Sequence, residues 1–252
     1  MAIQHKIKLI KQLIVVSFLI TFTAVSFSAI VGCKPSTGLT IMETPAGAEA
    51  LPAGVSLNIT ANDAYADYKF DYSISCSVNY YSGYEATNSN GTLNAVTEIP
   101  VGTNAKWETD VSTGKIGWEI KNNNHRMVGF LGYPVNYGMI PKTKGGDGDP
   151  LDVLVIGGTL LRGSVTAVRL IGALRILDGA DPDDKLLAVT TDGVFKDINS
   201  LADLDTQFPK TKEGIDSWFV NYKGPGQMTF QSWGDATEAL VILNTAKAAY
   251  IP

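Results

Sequence analysis

Short apolar stretches with β-branched or alternating residues recur through the second half of the chain, and Gly, Pro and Asn separate them. This pattern is typical of strands, because side chains alternate between the two faces of a sheet. Many short strands of this kind predict a β-barrel or a strongly curved sheet. The predicted strands are AVTEIP (95–100), KWETD (106–110), KIGWEI (115–120), LDVLVIG (151–157), SVTAVRLIGALRIL (164–177) and KLLAVTT (185–191).

Two segments show the spacing of a helix instead. A helix over residues 211–223 would place its apolar side chains at i, i+3, i+4 and i+7. A second helix is predicted to begin at Asp235, with Glu238 three residues later as in a capping box. The predicted class is therefore mainly β with flanking helices (α+β). The apolar positions of the two helices are Ile215, Trp218, Phe219 and Tyr222, and Ala239, Ile242, Leu243 and Ala246.

The N-terminal residues 1–32 have the layout of a signal peptide. Three lysines (Lys6, Lys8 and Lys11) precede an apolar run over 13–32, and Cys33 follows directly. The sequence IVGC (30–33) also resembles a bacterial lipobox, which predicts a lipid on Cys33. Two alternatives stay open: an uncleaved membrane anchor, since about 20 apolar residues can span a bilayer, and a freely released protein.

Residues 33–95 differ in composition from the rest. They begin as a tether rich in Pro, Gly, Ala and Thr, and continue as a tyrosine-rich β extension that ends at the Asn90–Gly91 turn. A tyrosine-rich edge could bind carbohydrate, but packing against the main domain is the favoured interpretation. Residues 96–252 form the predicted main domain.

Composition and charge exclude several classes of function. The 252 residues are 45% hydrophobic with a net charge of -5, so there is no basic surface for nucleic acid. The two cysteines and two histidines, at positions 5, 33, 76 and 125, lack the close spacing of an ordinary Cys/His zinc site. A site built from oxygen ligands for a hard cation remains possible.

Three carboxylates, Asp147, Asp149 and Asp152, stand within six residues directly before an apolar strand. Like charges this close raise one another's pKa and oppose folding unless cations neutralise them, which indicates a cation site. An EF-hand is excluded, because the fifth and twelfth positions counted from Asp147 are Leu151 and Gly158. A structural Ca²⁺ site of another kind stays open. A second acidic group lies between two predicted strands and consists of Asp178, Asp181, Asp183 and Asp184.

These acidic segments and three others resemble, in the same order, the sequence blocks of family I soluble inorganic pyrophosphatases. The resemblance implies a five-stranded OB-like β-barrel flanked by helices, pyrophosphate as substrate, and Mg²⁺ (or Mn²⁺ or another divalent ion) as cofactor. The blocks are EIPVGTNAKWE (98–108), GYPVNYGMIPKT (132–143), GDGDPLDVLVIG (146–157), DGADPDDKLLAV (178–189) and WFVNYKGPGQ (218–227).

The resemblance also implies roles for the acids. Asp147, Asp152 and Asp183 would hold the activating ions, and Asp178 with Asp183 those that arrive with the substrate. Glu98 would assist in metal binding. Asp149 would act as general base near a water that the metal ions acidify.

The phosphate groups need donors, and the family's positions match Lys106, Tyr137, Lys185, Tyr222 and Lys223. Glu108 and Tyr133 belong to the same blocks and are expected to support the site. The family's phosphate-binding arginine aligns without gaps on His125, whereas a one-residue deletion brings Arg126 into place. We choose Arg126, because a guanidinium binds phosphate through two hydrogen bonds.

The sequence thus predicts an exported, lipid-anchored diphosphatase on the periplasmic or cell-surface side of a bacterial membrane. It would bind pyrophosphate and no nucleic acid, contact the membrane through its lipid, and form a homo-oligomer. The main alternative is a catalytically silent pyrophosphatase-like module that binds phosphate or metal.

Overall fold

The structure, a computed structural model, describes residues 50–62 and 70–252. The predicted signal peptide, Cys33 and most of the tether lie outside the described residues. The strands are β1 (Ser56–Ala61), β2 (Phe70–Ser75), β3 (Leu93–Ile99), β4 (Trp107–Thr109), β5 (Ile116–Trp118), β6 (Ile120–Lys121), β7 (Asn124–His125), β8 (Asn136–Met139), β9 (Asp152–Ile156), β10 (Val165–Asp178), β11 (Asp181–Pro182), β12 (Lys185–Thr190) and β13 (Met228–Asp235). The helices are α1 (Leu201–Gln207), α2 (Thr211–Asn221) and α3 (Ala236–Ala249).

Five strands follow one another in a ring. The pairing runs from β3 to β8, β9, β12 and β10, and β10 pairs again with β3. β9 and β12 are parallel, while the other neighbours are antiparallel. β13 and β11 extend the sheet along β10. The prediction of a mainly β fold with a five-stranded, barrel-like core is confirmed.

The ring strands β9 and β12 carry buried residues on both faces. All six residues of β12 are buried. Along β9, Leu154 packs in the cluster beneath α2, whereas its neighbour Val153 packs in the cluster beneath α3. The capping box predicted for Asp235 and Glu238 is present at the start of α3. The short helix α1 was not predicted, since seven residues carry little periodic pattern.

A second sheet stands beside the ring, in the order β1–β2–β5–β4. It joins the N-terminal strands to two strands of the main domain, and its apolar cluster includes Ile74, Tyr80, Trp107 and Ile116. The N-terminal extension therefore packs against the main domain. The predicted boundary between residues 95 and 96 falls inside β3.

A bulge interrupts the pairing of β3 with β8. Thr97 pairs with Gly138 and Ile99 with Tyr137, so Glu98 is an extra residue on β3. A bulge of this kind changes the direction of a side chain and is common beside active sites. Glycine is required opposite, because a Cβ atom at position 138 would overlap the carbonyl oxygen of Val96.

Candidate active site

One cleft of about 310 Å³ collects every predicted metal, substrate and catalytic residue of the main domain. These residues come from six separate segments of the chain, so only the fold brings them together. They are Glu98, Lys106, Arg126, Tyr137, Asp147, Asp149, Asp152, Asp178, Asp183, Lys185, Tyr222 and Lys223.

The parallel pairing of β9 and β12 creates the centre of this cleft. Leu186 pairs with Val153, which places Lys185 beside Asp152 at the start of the two strands. The Lys185 ammonium donates to Asp152 Oδ2 at 2.6 Å and to Asp183 Oδ1 at 3.0 Å. Burial by itself would raise the pKa of Asp152, but Lys185 and Lys106 outweigh burial and lower it.

Lys106 and Tyr137 form the adjoining wall. Tyr137 on β8 faces the same side as Asp152, because its partner across the ladder is Leu154. The Lys106 ammonium lies 4.8 Å from the centre of the Tyr137 ring and 2.6 Å from Glu108 Oε1. Tyr133 lies outside the cleft lining and supports this wall with its ring centre 5.3 Å from that of Tyr137.

Glu98 is the most buried acid of the cleft, with 4% of its surface exposed. Its Oε1 accepts a hydrogen bond from the Thr109 N–H at 2.7 Å. Burial raises the pKa of Glu98 to about 8, because Lys106 and the Thr109 hydrogen bond offset only part of the lost solvation. A nearby cation would therefore stabilise the ionised form strongly.

Asp147 and Asp149 lie on an exposed turn at the rim. The Gly145 N–H donates to the Asp149 carbonyl at 2.7 Å, and the Asp149 N–H donates to Asp147 Oδ1 at 3.1 Å. Gly148 in this turn has a φ of 97°, which favours glycine. Burial and the nearby Asp147 raise the pKa of Asp149 above its usual value.

The remaining donors also belong to the cleft lining. Lys223, just after α2, pairs with Asp178 at the end of β10. Arg126 lies in the cleft lining and pairs with Glu119 at 2.7 Å. His125 does not line the cleft, and its ring lies 4.5 Å from that of Trp118. Arg126 therefore lies where it can reach a ligand in the cleft, and its assignment as a phosphate donor stays a prediction.

The donor set fits hard divalent cations, because it consists of carboxylate oxygens on loops and strand ends. Within residues 50–62 and 70–252, no three His, Cys, Asp or Glu side chains form a ready-made ligand group. Instead, lysines pair with Asp152, Asp183, Asp178 and Glu108. Ions that bind these carboxylates would compete with the lysines, which would then be available to phosphate.

Sequence reasoning assigned no role to several residues that the cleft contains. Thr109 was missed as the backbone donor to Glu98, although it belongs to the same short strand as Glu108. Asp181 lines the cleft and was recognised only as part of an acidic loop. The pairing of Glu119 with Arg126 had no signal in the sequence, because it depends on how the hairpin of β6 and β7 folds.

Comparison with known proteins agrees with this geometry. The family model described as inorganic pyrophosphatase matches residues 95–251. The chain belongs to the inorganic pyrophosphatase family. It is 38% identical over 156 residues to the inorganic pyrophosphatase of Sulfolobus acidocaldarius, covering 60% of this chain and 87% of that one.

Two further pyrophosphatases extend the match. The Xylella fastidiosa inorganic pyrophosphatase is 34% identical over 178 residues, which cover 67% of this chain and 97% of the relative. The crystal structure of the type I enzyme from Toxoplasma gondii aligns with a TM-score of 0.67 and 26% identity, over 78% of this chain and 98% of that one. The inorganic pyrophosphatase fold thus extends N-terminal to residue 95 in at least one solved structure.

Proposed function

We propose that this protein hydrolyses inorganic pyrophosphate to two phosphates in a Mg²⁺-dependent reaction outside the cytoplasm. The reaction class follows from the family, so the protein is an inorganic diphosphatase. The observation that carries the proposal is the single cleft that brings all predicted acids and phosphate donors together.

The metal ions supply two things when bound: they neutralise phosphate charge and they make a bound water acidic near neutral pH. Asp147, Asp152 and Asp183 would hold the activating ions, and Asp178 with Asp183 those that enter with pyrophosphate. Glu98 would complete the set from the bulge on β3. Mg²⁺ is the expected ion, because it prefers hard oxygen ligands and retains several waters.

The protein groups orient the substrate and move the proton. Asp149 would accept the proton of the attacking water, since its turn places the carboxylate at the rim of the cleft. Lys106, Lys185 and Lys223 would exchange their carboxylate partners for phosphate oxygens. Arg126 and the hydroxyls of Tyr137 and Tyr222 would add directed donors that stabilise the leaving phosphate.

A phosphate-release assay tests the activity. Purified protein lacking residues 1–32 is expected to release phosphate from pyrophosphate with Mg²⁺ and to stop when the metal is chelated. Mn²⁺ in place of Mg²⁺ tests the choice of ion. No release between pH 6 and 9 with either ion would contradict the proposal and would favour a silent binding module.

Export, with a lipid on Cys33 holding the protein at the membrane, completes the proposal. Among the described residues, no helix is both long enough and apolar enough to cross a bilayer. Cys33 and Cys76 are the two cysteines of the chain, and Cys33 lies outside the described residues. A sulfur that carries a lipid cannot also form a disulfide, so the alternative to a lipid on Cys33 is a disulfide with Cys76 in an oxidising compartment.

Membrane fractionation decides between these two states of Cys33. A lipid predicts that the wild type sediments with membranes and that Cys33→Ser is released or left unprocessed. A soluble wild type, with loss of stability in both Cys33→Ser and Cys76→Ser, would overturn the lipid and favour the disulfide. The expected homo-oligomer is checked by light scattering on the same sample.

A further inference from the structure

A buried arginine lies behind the cleft, in the turn between β9 and β10. Arg162 is 5% exposed and does not line the cleft. Its Nη1 donates to the backbone carbonyl of Glu98, and its guanidinium carbon lies 4.6 Å from the centre of the Trp107 ring. Arg162 therefore contacts both strands that bring acids and lysine into this part of the cleft.

The contact with Glu98 stabilises the backbone at the bulge, where one residue lacks a partner on the neighbouring strand. Glu98 has no partner residue in the β3–β8 ladder, because the register shifts between Thr97 and Ile99. The direction of its side chain then depends on what holds its own peptide group. The Arg162 guanidinium fixes this peptide group by donating to the Glu98 carbonyl. Such charge-assisted hydrogen bonds are stronger than neutral ones.

The contact with Trp107 acts on the neighbouring strand. Trp107 stands between Lys106 and Glu108, and its ring stacks on Trp118 with centres 5.6 Å apart. The Arg162 guanidinium covers this ring, which fixes how β4 lies against β3. The Thr109 N–H at the end of β4 then reaches the Glu98 carboxylate.

The N-terminal segment contacts the turn that contains Arg162 and stabilises it. Tyr80 is fully buried, and its hydroxyl donates to the Gly163 carbonyl at 3.0 Å. Gly163 has a φ of +79°, and a Cβ atom there would meet Tyr80 Oη at 2.7 Å and Ile74 Cδ1 at 2.9 Å. Tyr80 precedes residue 95, where the match to the family model begins.

We infer that Arg162 is a positioning residue for Glu98, and that Tyr80 extends this support to the N-terminal segment. The inference rests on the proposed function, because the role of Glu98 in metal binding belongs to it. The N-terminal segment thereby affects metal binding, although none of the described residues before β3 lines the cleft.

Metal binding without substrate provides the test. Calorimetry with Mn²⁺ is performed on the processed protein as isolated, for the wild type, Arg162→Met, Arg162→Lys, Tyr80→Phe and the control Tyr84→Phe. Arg162→Met is expected to weaken Mn²⁺ binding by about 10-fold or more, the usual effect of removing an outer support of a metal ligand. Arg162→Lys should weaken it less, because lysine keeps a charged donor but not the planar group over Trp107.

Tyr80→Phe should weaken Mn²⁺ binding by about threefold, since it removes one hydrogen bond. Tyr84→Phe should leave Mn²⁺ binding unchanged, because the Tyr84 hydroxyl faces Cys76 Sγ at 3.8 Å rather than the turn. In the double variant Arg162→Met/Tyr80→Phe, the loss should equal that of Arg162→Met alone, because both residues act through one contact.

A purely structural role predicts a different result. Variants that melt at lower temperature but bind Mn²⁺ as tightly as the wild type would overturn the inference. If Arg162→Met does not fold, unchanged Mn²⁺ affinity in both Arg162→Lys and Tyr80→Phe has the same meaning. A wild type that releases no phosphate overturns the proposed function instead, so the two failures are distinguishable.

Discussion

The five-stranded ring and the four-stranded sheet meet at the cleft and contribute different chemistry to it. The ring provides Asp152 and Lys185 from the first positions of β9 and β12, and Asp183 lies just before β12. The sheet provides Glu108 on β4 and Lys106 directly before it, and β4 is connected through β5 to the N-terminal strand β2. In the proposed mechanism, metal binding depends mainly on the ring, whereas one phosphate contact depends on strands far apart in sequence.

The largest effects are expected from the acids on and beside the ring. Asp149→Asn should lower kcat by about 10²–10⁴-fold and retain metal binding, because only the proton acceptor is lost. Asp152→Asn should lower both kcat and Mn²⁺ affinity, since it removes a metal ligand and leaves the Lys185 ammonium with one carboxylate. Steady-state kinetics and calorimetry measure both quantities, and equal loss of Mn²⁺ binding in the two variants would contradict the assigned roles.

A smaller effect, on the KM for pyrophosphate rather than on metal binding, is expected for a lysine beside the four-stranded sheet. Lys106→Met should raise the KM for pyrophosphate by about 10–100-fold, the effect of losing a charged hydrogen-bond donor. Mn²⁺ binding should not weaken, because Lys106 is itself a cation. Lys115→Met, on an exposed position just before β5, is the matched control. Weaker Mn²⁺ binding in Lys106→Met would show that the two regions do not divide the chemistry in this way.

The two regions should also differ in how tightly they are packed. Gly138→Ala on the ring should lower the free energy of unfolding by about 1–3 kcal/mol, because its Cβ overlaps the Val96 carbonyl. Gly117→Ala on β5 should change it by less than about 0.5 kcal/mol, since the nearest atom is 3.9 Å away. Urea unfolding measures both, with Gly129→Ala in open space as control. If Gly138→Ala left the free energy of unfolding unchanged, the backbone at the bulge would have to shift to make room for the Cβ atom.

The smallest effect concerns the start of α3, a helix that packs against the ring strands β10 and β12. Asp235 accepts from the N–H groups of Thr237 and Glu238 at the start of α3. Asp235→Ala should lower the free energy of unfolding by about 1 kcal/mol and leave KM and Mn²⁺ binding unchanged. A change in KM would indicate that the position of α3 affects the cleft. Thr245→Ala, later in the same helix and exposed, serves as the comparison.

The ring was predictable from sequence to a larger extent than the sheet. β9, β10 and β12 follow directly from apolar runs, because β9, β12 and the middle of β10 are mostly buried. The pairing of β2 with β5 was not predictable, since it joins segments about forty residues apart through few residues of weak alternation. The site residues were predicted through the family resemblance, and in the structure they line one cleft.

Supporting residues were harder to predict than the residues they support. Arg162 lies in a short turn with no pattern around it, and its contacts appear only when β3 and β4 are in place. Glu119 was likewise unpredictable as the partner of Arg126. A residue whose role is to hold another residue leaves no periodic pattern, because its position depends on tertiary structure alone.

The ion pair between Lys185 and Asp152 has a consequence for folding as well as for catalysis. Parallel strands such as β9 and β12 have no tight turn between them to set their alignment. A slip of one residue would exchange the two faces of a strand and would leave the Lys185 ammonium buried without its carboxylate. The ion pair at the centre of the cleft therefore also favours the correct register of β9 and β12. A barrel with a shifted register would be less stable, because it would leave a charge unpaired where the enzyme binds its substrate.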